Sequence, residues 1–395
     1  MEINKPDLFI EINNSELIFY AIKLKEDFEL KIISFNKIKL DKISGSLNFL
    51  NSYGLIKEKI SLLENAANHT FRKVNLIYKT DKLKCINISG FKKLAGSQVL
   101  EEDIEFIINN LKQNVIENNP NLDLVHIFNS KFYIDKEEKE NLPVGLYGEF
   151  YNHHLSFFLI PKTDLKNLKL MFNKCSLEIN KIILKPFVEG AVKIKNNPKE
   201  NNFFRIIIEK NKSYIFCFQN SALIFVENFN FGSDIIKRDF SKLCSIKDDQ
   251  IDKILNELDF NTIIGNKDYL DKKFFNGKPF RKISVSHIND IFFARINEII
   301  GLIYKKNLNL KYLSEGKKLI YLCLDDPVIY KNLKENFKKS FSTNDKINFE
   351  ITQDEHDQSF LTSAELTYKG WEKEAIPIIQ TKKTVFSKIF SAFFK

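Results

Sequence analysis

The residues whose types and spacing suggest chemistry most directly lie at 382–395, KKTVFSKIFSAFFK. At 3.6 residues per turn, Val385, Phe386, Ile389, Phe390, Phe393 and Phe394 fall on one half of a helix, and Ser387, Lys388, Ser391 and Lys395 on the other. With Lys382 and Lys383 ahead of it and no acidic residue, this segment can lie in the interface of an anionic bilayer, or it can dock its phenylalanines on the protein's own core. Spacing alone leaves both open. The segment is too short to span a bilayer. In the first case each lysine contributes about 1 kcal/mol, so Lys382, Lys383, Lys388 and Lys395 together supply several.

Elsewhere the usual reactive residue types do not converge. Cys85, Cys175, Cys217, Cys244 and Cys323 are scattered singly, without a CxxC pair, as expected of small buried hydrophobes in a reducing compartment. His153 and His154 are adjacent, which on a strand points them to opposite faces, so no metal is expected. The net charge is +9, yet only five of the 60 basic residues are arginine, and no stacking or zinc motif accompanies them. Nucleic acid is therefore not an expected partner. Residues 1–7 are polar and charged, so no secretion signal is expected, and no apolar run approaches a membrane span. A chain of 395 residues with 44% hydrophobic content is ample for two domains.

The elements that must position any site read as an α/β chain. Runs at 8–12, 17–24 and 30–35 predict a three-stranded meander. Ile56, Ile60, Leu63 and Ala67 predict a helix within 53–71, followed by a strand at 74–78. A strand at 84–89, an acidic-started helix at 100–115 and strands at 125–134 and 148–160, joined by a polar loop at 136–144, predict a small inserted αβ subdomain. A helix at 162–175 and a strand at 179–184, stopping at Pro186, follow. Runs at 203–208, 213–218 and 222–229 start the meander again, as an internal duplication requires. Helices are then expected at 235–244, 249–258, 287–304, 329–341 and 360–368, with strands at 319–324 and 347–351.

The repeated βββαβ order resembles the lobes of the actin-like ATPase fold. Specific residues extend the likeness: Tyr133, Ile134, Asp135, Pro143, Gly145, Gly148, Cys175, Leu177 and Pro186 fall, in order, on motif positions of the FtsA family of actin-like bacterial division proteins. Asn129 and Ser176 depart from that family's Pro and Gly. Further matches are Ile88-Ser89-Gly90, Glu102-Asp103-Ile104, Gly232 with Asp239, Ala294-Arg295 with Glu298-Ile299, the helix near 360–370 and the amphipathic segment. The resemblance covers nearly the whole chain. It implies a first-lobe core at 1–82 and 161–195 with part of 360–371, and an inserted subdomain at 83–160 serving polymerisation and later division proteins. It implies a second-lobe core at 196–234 and 287–371, a smaller subdomain at 235–286, a connector at 372–381 and a membrane-targeting helix at 382–395.

The resemblance also shows what is missing. Actin-like ATPases reach phosphate with glycine-bearing hairpins. The first hairpin here is Asn13-Asn14-Ser15-Glu16, whose Glu16 would repel phosphate. The second family motif, rich in glycine and opened by an aspartate, falls on Ile207, Ile208, Glu209, Lys210, Asn211, Lys212, Ser213 and Tyr214, without a glycine. The late Gly-Gly at the adenosine becomes Leu324-Asp325-Asp326. Lys210 and Lys212 read as solvated hairpin lysines, because a side chain does not restore a backbone approach blocked by Cβ. Asn14, Ser15, Ile207, Glu209, Lys210, Asn211, Gly232 and Asp325 therefore mark a degenerate nucleotide site, at which ATP and Mg²⁺ are the family's ligands but neither binding nor hydrolysis is expected.

By the same resemblance the partners are the FtsZ C-terminal peptide near Arg281 and Lys282, an anionic membrane surface, further copies of the chain head to tail, and other division proteins. The implied location is peripheral, on the cytoplasmic face of the bacterial inner membrane. An active ATPase of the same fold and an actin-like scaffold of pilus assembly are the alternative readings.

Overall fold

A computed structural model describes residues 5–13, 16–26, 29–39, 53–258, 260, 269–275, 280–311, 313, 318–351 and 356–375. The amphipathic segment 382–395 and the turn residues Asn14 and Ser15 lie outside the described residues. The chain divides into two units, one of 1–201, 218–225 and 354–395, the other of 202–217 and 226–353.

The first unit opens with β1 (Pro6–Ile12), β2 (Glu16–Leu24) and β3 (Leu30–Lys39), then α1 (Tyr53–Ala67) and β4 (Lys73–Tyr78). β1 pairs antiparallel with β2 and parallel with β4. Leu8, Phe9, Ile10 and Ile12 are buried, the near-continuous apolar run of a strand covered on both faces. The inserted segment follows as β5 (Lys84–Lys93), α2 (Glu101–Glu117), β6 (Leu122–Ile134), β7 (Glu137–Lys139) and β8 (Phe150–Pro161). Its four strands form a separate sheet in the order β5-β8-β6-β7. Ile104, Ile107, Ile108, Leu111 and Val115 of α2 pack with Tyr151, Leu155, Phe157 and Leu159 of β8 in one core. The period-2 alternation of β8 and the 3.6-residue period of α2 place those side chains together. Next come α3 (Lys162–Lys174), β9 (Glu178–Leu184) and α4 (Lys185–Asn196), with β9 completing the main sheet in the order β3-β2-β1-β4-β9.

The second unit repeats the plan with β10 (Phe203–Ile208), β11 (Ser213–Gln219), β12 (Ala222–Phe229), α5 (Asp234–Cys244), α6 (Asp248–Glu257), α7 (Val285–Ile300), β13 (Leu319–Leu324), α8 (Pro327–Lys339) and β14 (Lys346–Ile351). Its sheet runs β12-β11-β10-β13-β14, matching the first position for position. In both, the first strand of the meander and the two later strands form the parallel half. The last helix, α9 (His356–Tyr368), is part of the first unit.

Two elements depart from the sequence expectation. Pro186 does not end β9 so much as begin α4, standing in its first turn where the missing N–H costs nothing. Phe187, Val188, Ala191, Val192 and Ile194 of that helix are buried, and Lys185, Glu189 and Lys193 leave only a narrow, half-buried polar stripe to announce it. In the predicted polar loop, Glu137–Lys139 forms the edge strand β7. Its hairpin turns at Asp135 and Lys136, both with positive φ, the two-residue geometry that suits strand twist. An edge strand reading Glu-Glu-Lys carries no apolar signal.

Candidate functional site

In the second unit, β10 and β11 meet at the hairpin Glu209–Lys212, closed by Glu209 N–H donating to the Lys212 carbonyl at 2.9 Å. Ile207, in place of an acid, is buried in β10 opposite Cys323. The hairpin's carbonyls point at the start of α5. Ser233 N–H donates to the Glu209 carbonyl at 2.8 Å and Asp234 N–H to the Lys210 carbonyl at 2.9 Å. Ile235 and Ile236 donate to Gly232 and Ser233. A helix start binds anions through N–H groups that lack a partner in the chain; here the first turn spends its donors on its own backbone. Gly232 makes the contact possible, because a Cβ there would collide with the carbonyls of both Glu209 and Lys210. Lys210 and Asn211 are exposed at the tip.

The loop after β13 is built just as firmly. Asp325 is exposed and its N–H donates to the Ile208 carbonyl at 3.1 Å. Asp326 caps α8, one carboxylate oxygen accepting from Val328 N–H at 3.0 Å and Ile329 N–H at 3.2 Å, with Pro327 in the first turn. Its other oxygen lies 2.6 Å from Lys237 Nζ, which also reaches Asp252 at 2.7 Å. Burial works against the Lys237 charge, but the two carboxylates outweigh it and hold its pKa above the usual lysine value. Asp326 thus performs a structural task.

In the first unit the hairpin between β1 and β2 is closed by Asn13 and Glu16. Asn13 N–H donates to the Glu16 carbonyl at 3.2 Å, and Glu16 N–H donates to Asn13 Oδ1 at 2.9 Å. The Glu16 carboxylate pairs with Lys37 at 2.7 Å and accepts from Asn13 Nδ2 at 3.3 Å. Although burial opposes its charge, these bonds hold its pKa below the ordinary glutamate value. The Glu16 carboxylate at the base of this hairpin is thus kept ionised and matched to Lys37.

Arg281 and Lys282 are exposed beside exposed Tyr269 and Phe280. Leu270 N–H donates to the Ile283 carbonyl at 2.9 Å, and Tyr269 bridges Ser284, which brings the two stretches together. Lys282 Nζ lies 4.3 Å from the centre of the Tyr269 ring, Lys272 Nζ 5.3 Å from that of Phe280, and Arg281 donates to Ser245 Oγ at 3.2 Å. A cationic rim around two rings suits a peptide with both acidic and apolar residues.

A buried polar cluster, not singled out in the sequence, lies where the chain leaves α9. Glu374 bridges Phe128 of β6, and the backbone bonds Asn129 N–H to Lys373 and Ala375 N–H to Ile127, each 2.8 Å, flank it. Its carboxylate meets His126 Nδ1 at 2.6 Å and Lys181 Nζ at 4.0 Å. Trp371 Nε1 donates to the Ser221 carbonyl at 2.8 Å. The first residues of the expected connector are thus stitched onto the inserted sheet. Lone charged residues in a polar stretch gave no periodic signal for this. Among the described residues no three His, Cys, Asp or Glu side chains gather as a metal site, and no helix is long and apolar enough to cross a membrane.

Two matched sheets of identical order, each joined to helices, with an αβ subdomain inserted in the first, define the actin-like ATPase fold. Among solved structures, the chain superposes on the PilM-PilN type IV pilus biogenesis complex with a TM-score of 0.52, covering 92% of this chain and 98% of that one at 10% identity. In sequence it is 18% identical over 270 residues to the cell division protein FtsA of Escherichia coli K12, covering 68% of this chain. It spans 64% of the length of that relative. To FtsA of Neisseria meningitidis serogroup B it is 19% identical over 298 residues, 74% of this chain and 72% of that protein. No protein-family model matches the chain.

Proposed function

We propose that this chain is an FtsA-like adaptor that tethers FtsZ filaments to the cytoplasmic face of the bacterial inner membrane at the division site. Residues 382–395 adhere to lipid, the patch at Arg281 and Lys282 receives the FtsZ C-terminal peptide, and copies assemble head to tail. The inserted subdomain is the platform for other division proteins. The observation that carries this reading is the match to FtsA over 298 residues on an actin-like fold.

The nucleotide chemistry of the fold is absent in this reading. Support comes from the α5 start sealed by hairpin carbonyls and from Asp326 committed to Lys237 and α8. The protein then works by binding alone, without hydrolysing ATP. A monomer's tail holds lipid weakly and reversibly, and a row of linked copies holds it by avidity.

Sedimentation with vesicles of phosphatidylglycerol and phosphatidylethanolamine tests the proposal. The intact chain should pellet, a chain lacking 382–395 should not, and a fluorescent FtsZ tail peptide should pellet only with the intact chain. Peptide left in the supernatant while the protein pellets would favour the second reading, a membrane scaffold of pilus assembly, which the superposition on the PilM-PilN complex supports.

A further inference from the structure

We propose that the inserted subdomain is also a parking site for the chain's own segment 382–395, which shuttles between this surface and the membrane. The inference rests on that segment being the lipid-binding element proposed above. Leu100, which precedes α2, Phe106 of α2, and Leu146 and Tyr147 of the neighbouring loop are exposed, Tyr147 by 71% and Phe106 by 58%. Val99 N–H donates to the Leu146 carbonyl at 2.9 Å and Gln98 bridges Tyr147, so Leu146 and Tyr147 lie beside Leu100 at the start of α2, the helix that carries Phe106.

Three observations say what covers it. The first is position. Ala375 packs on the core of the inserted subdomain, the same core that Leu142 and Val144 pack against, and Leu146 and Tyr147 lie two and three residues beyond Val144. Residues 376–381 span at most roughly 20 Å, so residues 382–395 begin within that distance of Ala375 on the inserted subdomain. The second is charge. Glu102, Glu105 and Glu149 are exposed beside the apolar residues, while Lys92 is paired with Asp103 at 3.0 Å and Lys93 is outnumbered. The segment carries Lys382, Lys383, Lys388 and Lys395 and no acid. The third is the surface's own chemistry: Lys92 Nζ already sits 5.5 Å from the centre of the Phe106 ring, the lysine-on-aromatic contact that the tail's lysines would repeat. Docking would hold the lipid-binding face in reserve until a membrane competes for it.

The test uses the full chain. A docked fraction of nine-tenths raises the apparent vesicle Kd about tenfold, so a Phe106→Ser, Tyr147→Ser variant should bind phosphatidylglycerol-containing vesicles about tenfold more tightly. Both residues are exposed, so the fold should stand. In parallel, a photo-crosslinking amino acid at Phe390 should link within the same copy to the stretch 92–150, and vesicles should abolish the link. An unchanged vesicle affinity, links that rise with protein concentration and join two copies, or links to other parts of the chain each overturn the proposal. If vesicles are ignored by both proteins while the same-copy link persists, docking stands and the membrane reading fails.

Discussion

His126 Nδ1 and Glu374 Oε1 meet at 2.6 Å across 248 residues of chain, both side chains almost wholly buried. The other ring nitrogen, Nε2, accepts the Leu184 N–H at 3.2 Å, which makes Nδ1 the protonated nitrogen and the donor to Glu374. One imidazole thus ties β6, the junction of β9 with α4, and the chain beyond α9.

Glu374→Ala should cost about 3–5 kcal/mol, because it leaves Lys181 buried without its carboxylate. Burial opposes the Glu374 charge, but His126 and Lys181 together hold its pKa below the ordinary glutamate value. A depressed acid contributes stability that is present above the unfolded pKa and fades as pH falls through the folded value. Glu374→Gln should therefore flatten the acid limb below pH 4.5 in urea unfolding curves. An acid limb identical to that of the parent would refute the ion pair.

Asp326→Ala removes a helix cap and a partner of Lys237 together, and about 2–4 kcal/mol should be lost. Because the Lys237 pKa is raised from 10.5, its contribution is complete below that pH and disappears as pH climbs through the higher folded value. Urea midpoints measured between neutral and strongly alkaline pH should converge for the parent and a Lys237→Met variant at the alkaline end. Parallel curves throughout would count against the pairing.

Gly232→Ala should destabilise by about 1–3 kcal/mol, since the methyl group drives the hairpin off the start of α5. Chemical denaturation reads the loss directly, and an unchanged midpoint would mean that the hairpin does not press on the helix.

Mg-ATP should leave the urea midpoint unmoved, in the parent and in a variant with glycine at 209–211, because the α5 donors are already taken. Ligand at 100 times its Kd would add about 2.7 kcal/mol, and a gain of that size in the parent would restore the nucleotide to this protein.

Arg281→Glu with Lys282→Glu should weaken an FtsZ tail peptide at least about tenfold, roughly 1.4 kcal/mol. Fluorescence anisotropy with the labelled peptide measures it. Equal affinity would move the peptide site elsewhere.

Much of the architecture is local in origin and could be read in order along the chain. The buried strands at 8–12 and 203–208 are apolar runs between polar turns, and α2 shows its core face at Ile104, Ile107, Ile108 and Leu111. The absence of glycine at 209–211 is a matter of composition, since a residue with a Cβ restricts the backbone wherever it stands. The tertiary structure decided the rest. Helix α4 is defined by burial of most of its circumference, β7 by a partner strand, and the β6 bridge of residues 373–375 by carbonyls and amides far away in sequence. The hairpin carbonyls that seal α5, like the pairing of Asp326 with Lys237, come from backbone and side chains brought together only by folding. Periodicity records which face of an element meets the core, but it holds no record of which distant group will satisfy a buried charge or an unpaired N–H.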